Sequence, residues 1–254
     1  MKNETPAEQL LQWFITAGVD ETIADAPTDR FAPPPPSLPE RQTTFAAPPT
    51  PSVEKKAPSP QSLFSARKAS TLEELKDAIF NVNGCSLKST ATNMVFGSGD
   101  PKARLMIIGE APGAEEDRQG LPFVGASGHL LDLMLASIGL HRQDVYITNI
   151  LPWRPPANRK PSEDEIALFT PFVRRHIALI NPKILLFLGS SAVSALMNTN
   201  EGITKIRGRW MTYSDETLSI EAMASFHPAY LLRTPGQKKL AWRDLQAVKA
   251  KLLH

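Results

Sequence analysis

Residues 104–109 read RLMIIG, an apolar run closing on glycine. It is too short for a helix and carries no polar alternation, so it reads as a strand buried on both faces. Working outward, VYITNI (Val145–Ile150), KILLFLG (Lys183–Gly189) and EAMASF (Glu221–Phe226) repeat the pattern, and an edge strand is expected near Arg209–Tyr213. Between them the periodicity switches to helical at Ser127–Ile138, Ser162–Ile180, Ser190–Met197 and Gln237–Leu253. Upstream, Ser70 followed by Glu73 is expected to form a capping box that opens a helix running to about Phe80. Strand and helix in alternation imply an α/β fold, a three-layer α/β/α sandwich around a central, mainly parallel four-stranded sheet.

This pattern occupies residues 64–254 of the 254-residue chain. Ahead of it, residues 1–26 place Leu10, Leu11, Trp13, Phe14, Ile15 and Val19 near helical spacing, a short amphipathic helix too small to fold alone. It reads either as a recruitment motif for a protein partner or as a helix resting on the domain surface. Residues 27–63 form a Pro-rich linker, with 11 prolines in the 34 residues from Pro27 to Pro60, and are expected to be extended and disordered.

A hydrophobic content of 42% suffices for a globular core, and the longest apolar stretches fall well short of a membrane span. The single cysteine, Cys85, excludes an intrachain disulfide and suits a reducing cytoplasm. Net charge is +2, but residues 1–62 hold 5 Lys+Arg against 8 Asp+Glu, and the remainder holds 23 against 18. A mildly basic domain fits a polyanionic partner. Without heptads or an exposed apolar stripe in the domain, a monomer is the default expectation.

Ligands of open α/β sheets sit beyond the carboxyl ends of the strands. Here those ends are Gly109-Glu110-Ala111-Pro112-Gly113, Thr148-Asn149, Leu188-Gly189 and His227-Pro228. They gather a carboxylate, an amide, a close-approach glycine and an imidazole at one rim, a set suited to reading and cleaving a small polar heterocycle. Each alone has a plainer reading: Glu110 and Asn149 as turn residues, His227 as a satisfied histidine, Phe123 as core. Neither Gly-x-Gly-x-x-Gly nor a P-loop Lys-Ser/Thr follows the first strand, and no Gly-x-Ser-x-Gly elbow occurs. Ser190 and Ser191 read as a helix N-cap.

The ordered series GEAPGAEED (109–117), GLPFVG (120–125), SGHLL (127–131), Thr148-Asn149, RPPANRKP (154–161), Leu188-Gly189, Arg207-Gly208 and HPAYLLR (227–233) resembles the motifs of family-four, iron–sulfur uracil-DNA glycosylases. The resemblance runs from about Cys85 to the C-terminus. It implies a hydrolase that excises uracil from DNA for base excision repair. By the same resemblance Phe123 stacks on the flipped base, Asn149 reads its polar edge, and Ala111 and Pro112 line the pocket. His227 donates to a uracil oxygen as charge develops, and Glu110 positions or activates water, with Asp117 in the same loop as the alternative carboxylate. Arg154, Arg159 and Lys160 in the proline-stiffened segment 153–160, together with Arg233, are expected to hold DNA phosphates.

Family members commonly hold a four-iron cluster on four cysteines, which by motif spacing would fall at Val82, Cys85, Trp153 and Phe169. Only Cys85 could ligate, so no iron–sulfur cofactor is expected, and the rings of Trp153 and Phe169 are expected to fill the space. A non-catalytic reader of uracil or damaged DNA remains an alternative. Covalent capture of the abasic sugar would call for a histidine between Asn149 and Ser162, where none occurs.

Overall fold

The protein is described by a computed structural model covering residues 60–197, 199–215 and 218–253. The expected amphipathic helix of residues 1–26 and the linker up to residue 59 lie outside these residues. The first described element is helix α1 (Pro60–Lys68), so residues 60–63, expected as the linker's end, are helical. Helix α2 (Leu72–Phe80) follows, capped one residue later than the Ser70/Glu73 reading: Thr71 Oγ1 accepts from Glu74 N at 3.1 Å, and Glu74 reaches back to Ser70 N. Both pairs have capping-box spacing, and the buried stripe of Leu75 and Ile79 is better served by the later start. A single turn, α3 (Leu87–Thr90), leads into the sheet.

The sheet has six strands: β1 (Ser98–Gly99), β2 (Leu105–Gly109), β3 (Tyr146–Asn149), β4 (Ile184–Leu188), β5 (Trp210–Ser214) and β6 (Ser219–Ser225). Their order is β1-β3-β2-β4-β6-β5. The four central strands run parallel, as expected, and β1 and β5 add antiparallel edges. The two-residue β1 is too short for any periodicity to announce it, while β5 lies where the edge strand was expected.

Strand periodicity sorts the core into two layers. Met106, Ile108, Leu185, Phe187, Ala222 and Ala224 face one side, where they meet α2, α6 (Glu163–Ile180) and α7 (Ser190–Met197). Leu105, Ile107, Ile147, Leu186, Leu188 and Met223 face the other, against α5 (Ala126–Ala136) and α10 (Lys238–Leu253). Three short helices complete the chain: α4 (Ala114–Gln119), α8 (Ile203–Ile206) and α9 (Pro228–Arg233). Helix α6 shows why such elements form here. Ser162 and Glu165 make a reciprocal capping box, three acids fill the first turn, and Phe169, Phe172, Val173, His176, Ile177 and Ile180 recur on its buried face. Among the described residues no helix is long and apolar enough to cross a membrane.

The four cluster-ligand positions lie in one apolar layer. Trp153 and Phe169 are buried with ring centroids 5.6 Å apart, Phe172 continues the aromatic row, and Val82 and Cys85 pack against the same layer. Burial pushes the Cys85 thiol up, away from the thiolate that iron requires. The residues present do not fit a four-iron cluster. Aromatic rings that bury roughly 150–250 Å² each supply packing at these positions.

Deep in the first layer His176 Nε2 pairs with the Tyr146 hydroxyl at 2.9 Å, and its ring stacks on Phe96 at 4.5 Å. Burial lowers His176 to about 3 and raises the Tyr146 phenol, so both are neutral in the fold. The unfolded chain, with an ordinary histidine, takes up a proton near pH 6.5 that the folded protein refuses until about 3. This histidine should therefore remove stability as pH falls from about 6.5 toward 3, at a limiting slope of about 1.4 kcal/mol per pH unit. Urea midpoints measured between pH 7.5 and 4.5 should show the loss, and the double variant Tyr146→Phe/His176→Phe should have a shallower slope.

Candidate active site

Outside the carboxyl ends of β2, β3 and β6 lies a cleft of about 590 Å³. Its lining brings together Glu110, Ala111, Pro112, Phe123, Asn149 and His227, with Arg159, Lys160 and Arg233 toward its basic side. Arg154 is not in the lining; its Nε donates to Asn158 Oδ1 at 2.8 Å.

The inner wall is set by close approach. A Cβ on Gly109 would fall 2.4 Å from Asn149 Oδ1 and 2.6 Å from Phe123 Cζ, so only glycine lets the amide and the ring converge on the end of β2. Asn149 is 5% exposed, and its Oδ1 has no hydrogen-bond partner among the described residues. A buried amide oxygen left unpaired costs free energy that a ligand N–H would recover. Phe123 reaches the cleft with φ at +53°, a left-handed conformation unusual for an aromatic residue.

The surrounding loop is pinned from both sides. Arg142 Nη1 donates to Pro122 O at 2.8 Å, Arg142 Nη2 donates to Phe123 O, and its Nε reaches Asp132 at 3.0 Å. Gly128 permits the fold-back, since a Cβ there would fall 1.8 Å from Phe123 O. From the other side Glu116 accepts from Val124 N, Gly125 N and Gly113 N at 3.0, 2.9 and 3.0 Å, which ties the glycine turn after β2 to the Phe123 loop.

The two carboxylates proposed for the same role are separated by this geometry. Asp117 is buried and outside the cleft, with Oδ1 accepting from Thr92 N at 2.8 Å and Asn93 N at 3.1 Å. Glu110 lines the cleft, and Ser191 Oγ donates to its Oε2 at 2.5 Å. Two residues that sequence reasoning passed over thus belong to the site. Glu116 was hidden among the three consecutive acids Glu115 to Asp117, and Ser191 was read as a helix cap.

His227 caps α9, and its Nδ1 accepts from Ala229 N at 3.2 Å. A backbone N–H can only donate, so the ring proton of the neutral imidazole sits on Nε2. Burial, with the charge of Arg233 adding to it and that of Glu116 opposing, lowers His227 to about 4. The ring lies 5.5 Å from that of Phe123, and a Cβ on Gly189, at φ +94°, would fall 3.4 Å from the histidine Cβ. Of the basic residues, Arg159 is engaged by both oxygens of Glu165, at 2.9 and 2.5 Å. Lys160 and Arg233 line the cleft without a carboxylate partner among the described residues.

The model of the uracil DNA glycosylase superfamily matches residues 96–246. The chain belongs to the uracil DNA glycosylase superfamily. It is similar to the type-4 uracil-DNA glycosylase of Sulfurisphaera tokodaii, at 40% identity over 70% of this chain and 84% of the relative. The type-4 uracil-DNA glycosylase of Thermotoga maritima is 35% identical over 70% of this chain and 93% of its own length. A type-5 uracil-DNA glycosylase of Thermus thermophilus is 33% identical over 41% of this chain and 53% of its own length. These matches identify it with the type-4 branch of the superfamily.

For this superfamily member the Gly109 contact is directly testable. Gly109→Ala should lower stability by about 1–3 kcal/mol, as overpacking does, because neither the Phe123 ring nor the Asn149 amide can move without breaking its loop or strand. Urea unfolding measures the cost, and a crystal structure of the variant should show one of the two side chains displaced into the cleft.

Proposed function

We propose that this protein hydrolyses the N-glycosidic bond of uracil in DNA and leaves an abasic site for base excision repair. The observation that carries the reading is the buried, unpartnered Oδ1 of Asn149 in the wall of a cleft that also holds Phe123, Glu110 and His227. Uracil offers an N3–H donor where cytosine offers an acceptor. An amide held with its oxygen waiting for a donor therefore favours uracil and leaves cytosine facing an unpaired buried group.

The base must leave the stack to enter so recessed a site. Phe123, fixed by Arg142 and Gly128, supplies a rigid face for stacking, with Ala111 and Pro112 along the edge. As the C1′–N1 bond breaks, its electron pair stays with the base and negative charge grows on the uracil carbonyl oxygens. The Nε2–H of a neutral His227 donates to one of them, and no proton need be transferred. One such donor is typically worth about 2.7–4 kcal/mol. Glu110 orients water toward C1′ and takes its proton. Lys160 and Arg233 hold phosphates, and Arg159, engaged by Glu165, stiffens the loop that presents them. We also propose that the enzyme acts as a cytoplasmic monomer, with residues 1–26 available to a protein partner.

The full chain should release uracil from a labelled oligonucleotide and leave alkali-sensitive abasic product; folded protein giving none would overturn this reading. His227→Ala should slow single-turnover excision roughly 100-fold to 1,000-fold, while the stability loss stays near the about 0.5–2 kcal/mol of a lost helix cap. Because His227 lies at about 4, the wild-type rate should show no inflection attributable to it near pH 6.5, and it should fall only as pH drops toward 4. An inflection at 6.5 that disappears in His227→Asn would count against a neutral donor.

We propose further that the enzyme works without an iron–sulfur cluster, which the aromatic packing of Trp153 and Phe169 supports. Protein purified without oxygen should be colourless and iron-free by elemental analysis. Cys85→Ala should keep full excision activity; brown protein, or a folded but inactive variant, would contradict the proposal.

A further inference from the structure

The chain leaves β2 toward β3 on one side and β4 toward β6 on the other, so the connections diverge between β2 and β4. The crevice outside the carboxyl ends of two such strands is where doubly wound sheets place their chemistry. Glu110 directly follows β2, and Ser190 opens α7 two residues after β4 ends. Across that crevice Ser191 Oγ donates to Glu110 Oε2 at 2.5 Å, within the short range of hydroxyl–carboxylate bonds.

Glu110 is held at two points as a result. Its carbonyl accepts from Leu151 N at 3.1 Å, and that of Gly109 accepts from Ile150 N at 3.0 Å, so its backbone is fixed to the segment leaving β3. Its side chain is fixed by α7. A serine in the first turn of a helix commonly uses its oxygen as an acceptor for the helix's own N–H groups. Here its one proton goes to a carboxylate 81 positions earlier in the chain.

We infer that Ser191 is a positioning residue for hydrolysis: it occupies one oxygen of Glu110 and aims the other at the attacking water. The inference rests on the glycosylase reading with Glu110 as the base. In the step it serves, C1′–N1 breaks with both electrons going to uracil, and the water oxygen bonds to C1′. The water proton passes to Glu110 Oε1, and Ser191 keeps its own proton throughout. A glutamate without this tether samples rotamers that point away from the water, and misplacement of a catalytic group by about 1 Å can cost as much as about 100-fold in rate.

The test uses the full chain and a single-stranded oligonucleotide with one uracil. Single-turnover rates and substrate affinities are measured for wild type, Ser191→Ala, Ser191→Thr, Glu110→Gln and the double variant Ser191→Ala/Glu110→Gln. Ser191→Ala should slow the chemical step roughly 10-fold to 100-fold with affinity changed less than about twofold, and Ser191→Thr, which keeps the hydroxyl, should restore most of the rate. In the Glu110→Gln background Ser191→Ala should cost less than about twofold more, because a tether matters only while its carboxylate does. Wild-type rate in Ser191→Ala or in Glu110→Gln, multiplicative losses in the double variant, or a loss confined to affinity would each overturn the inference. Should Ser191→Ala fail to fold by circular dichroism, Ser191→Cys, close in shape but a weak donor, carries the same comparisons. An inactive wild type would instead defeat the glycosylase reading, which separates the two failures.

Discussion

The missing side chain at Gly109 sets how close a strand end, an aromatic ring and an amide can come, and the geometry of the cleft follows from that. With no Cβ there, Phe123 and Asn149 converge on one point from different loops. Neither could do so if its own segment were free to move away. Phe123 is therefore held in a left-handed conformation by the Arg142 guanidinium, and Asn149 by its parallel register with Gly109 in the sheet. The strain at Phe123 and the unpaired oxygen at Asn149 both cost stability in the free protein. Sites that bind a flat, hydrogen-bonding ring commonly concentrate such costs, because ligand contacts can recover them.

The carboxylates around the cleft share one chemical group and perform different work according to what surrounds them. Glu116 is saturated by three backbone N–H groups and acts as a structural staple. Asp117 faces the other way and anchors Thr92 and Asn93. Glu110 lines the cleft, and among the described residues a single hydroxyl holds its side chain. The same logic separates the cations: Arg159 faces a paired carboxylate, while Lys160 and Arg233 face solvent and the cleft. Charge counted along a sequence overstates how much of it is available to phosphate.

Much of this was legible in residue order. Buried parallel strands announce themselves as unbroken apolar runs, so β2, β4 and β6 fall where RLMIIG, KILLFLG and EAMASF stand, and their carboxyl ends led directly to Glu110, Asn149 and His227. What escaped has a common physical origin, namely partners distant in sequence or elements too short to have a period. The two-residue β1 exists only through its pairing with β3, and the Ser191–Glu110 bond spans 81 positions. Ser70 and Thr71 present equally good caps, and only the burial of Leu75 and Ile79 chooses between them. Glu110 and Asp117 are equivalent as letters in one loop and are separated only by which way the chain turns at Gly113.

The positions where family-four motifs would carry cysteines lie apart from the candidate site. Val82, Cys85, Trp153 and Phe169 belong to the core layer on one face of the sheet, whereas the chemistry gathers at the strand ends. What that layer must supply to the rim is a fixed exit for the segment after β3, which carries Pro155 to Lys160 into the cleft wall. A metal centre could fix it through bonds to thiolates. Two interlocked rings fix it through volume, because a close-packed interior is as incompressible as an organic crystal. The ring packing lies apart from the cleft wall, where Asn149 stands four residues upstream of Trp153. Such packing requires all of the ring volume at once, since a lone Trp153 facing a small residue would leave a cavity beneath the loop that bears Arg159 and Lys160.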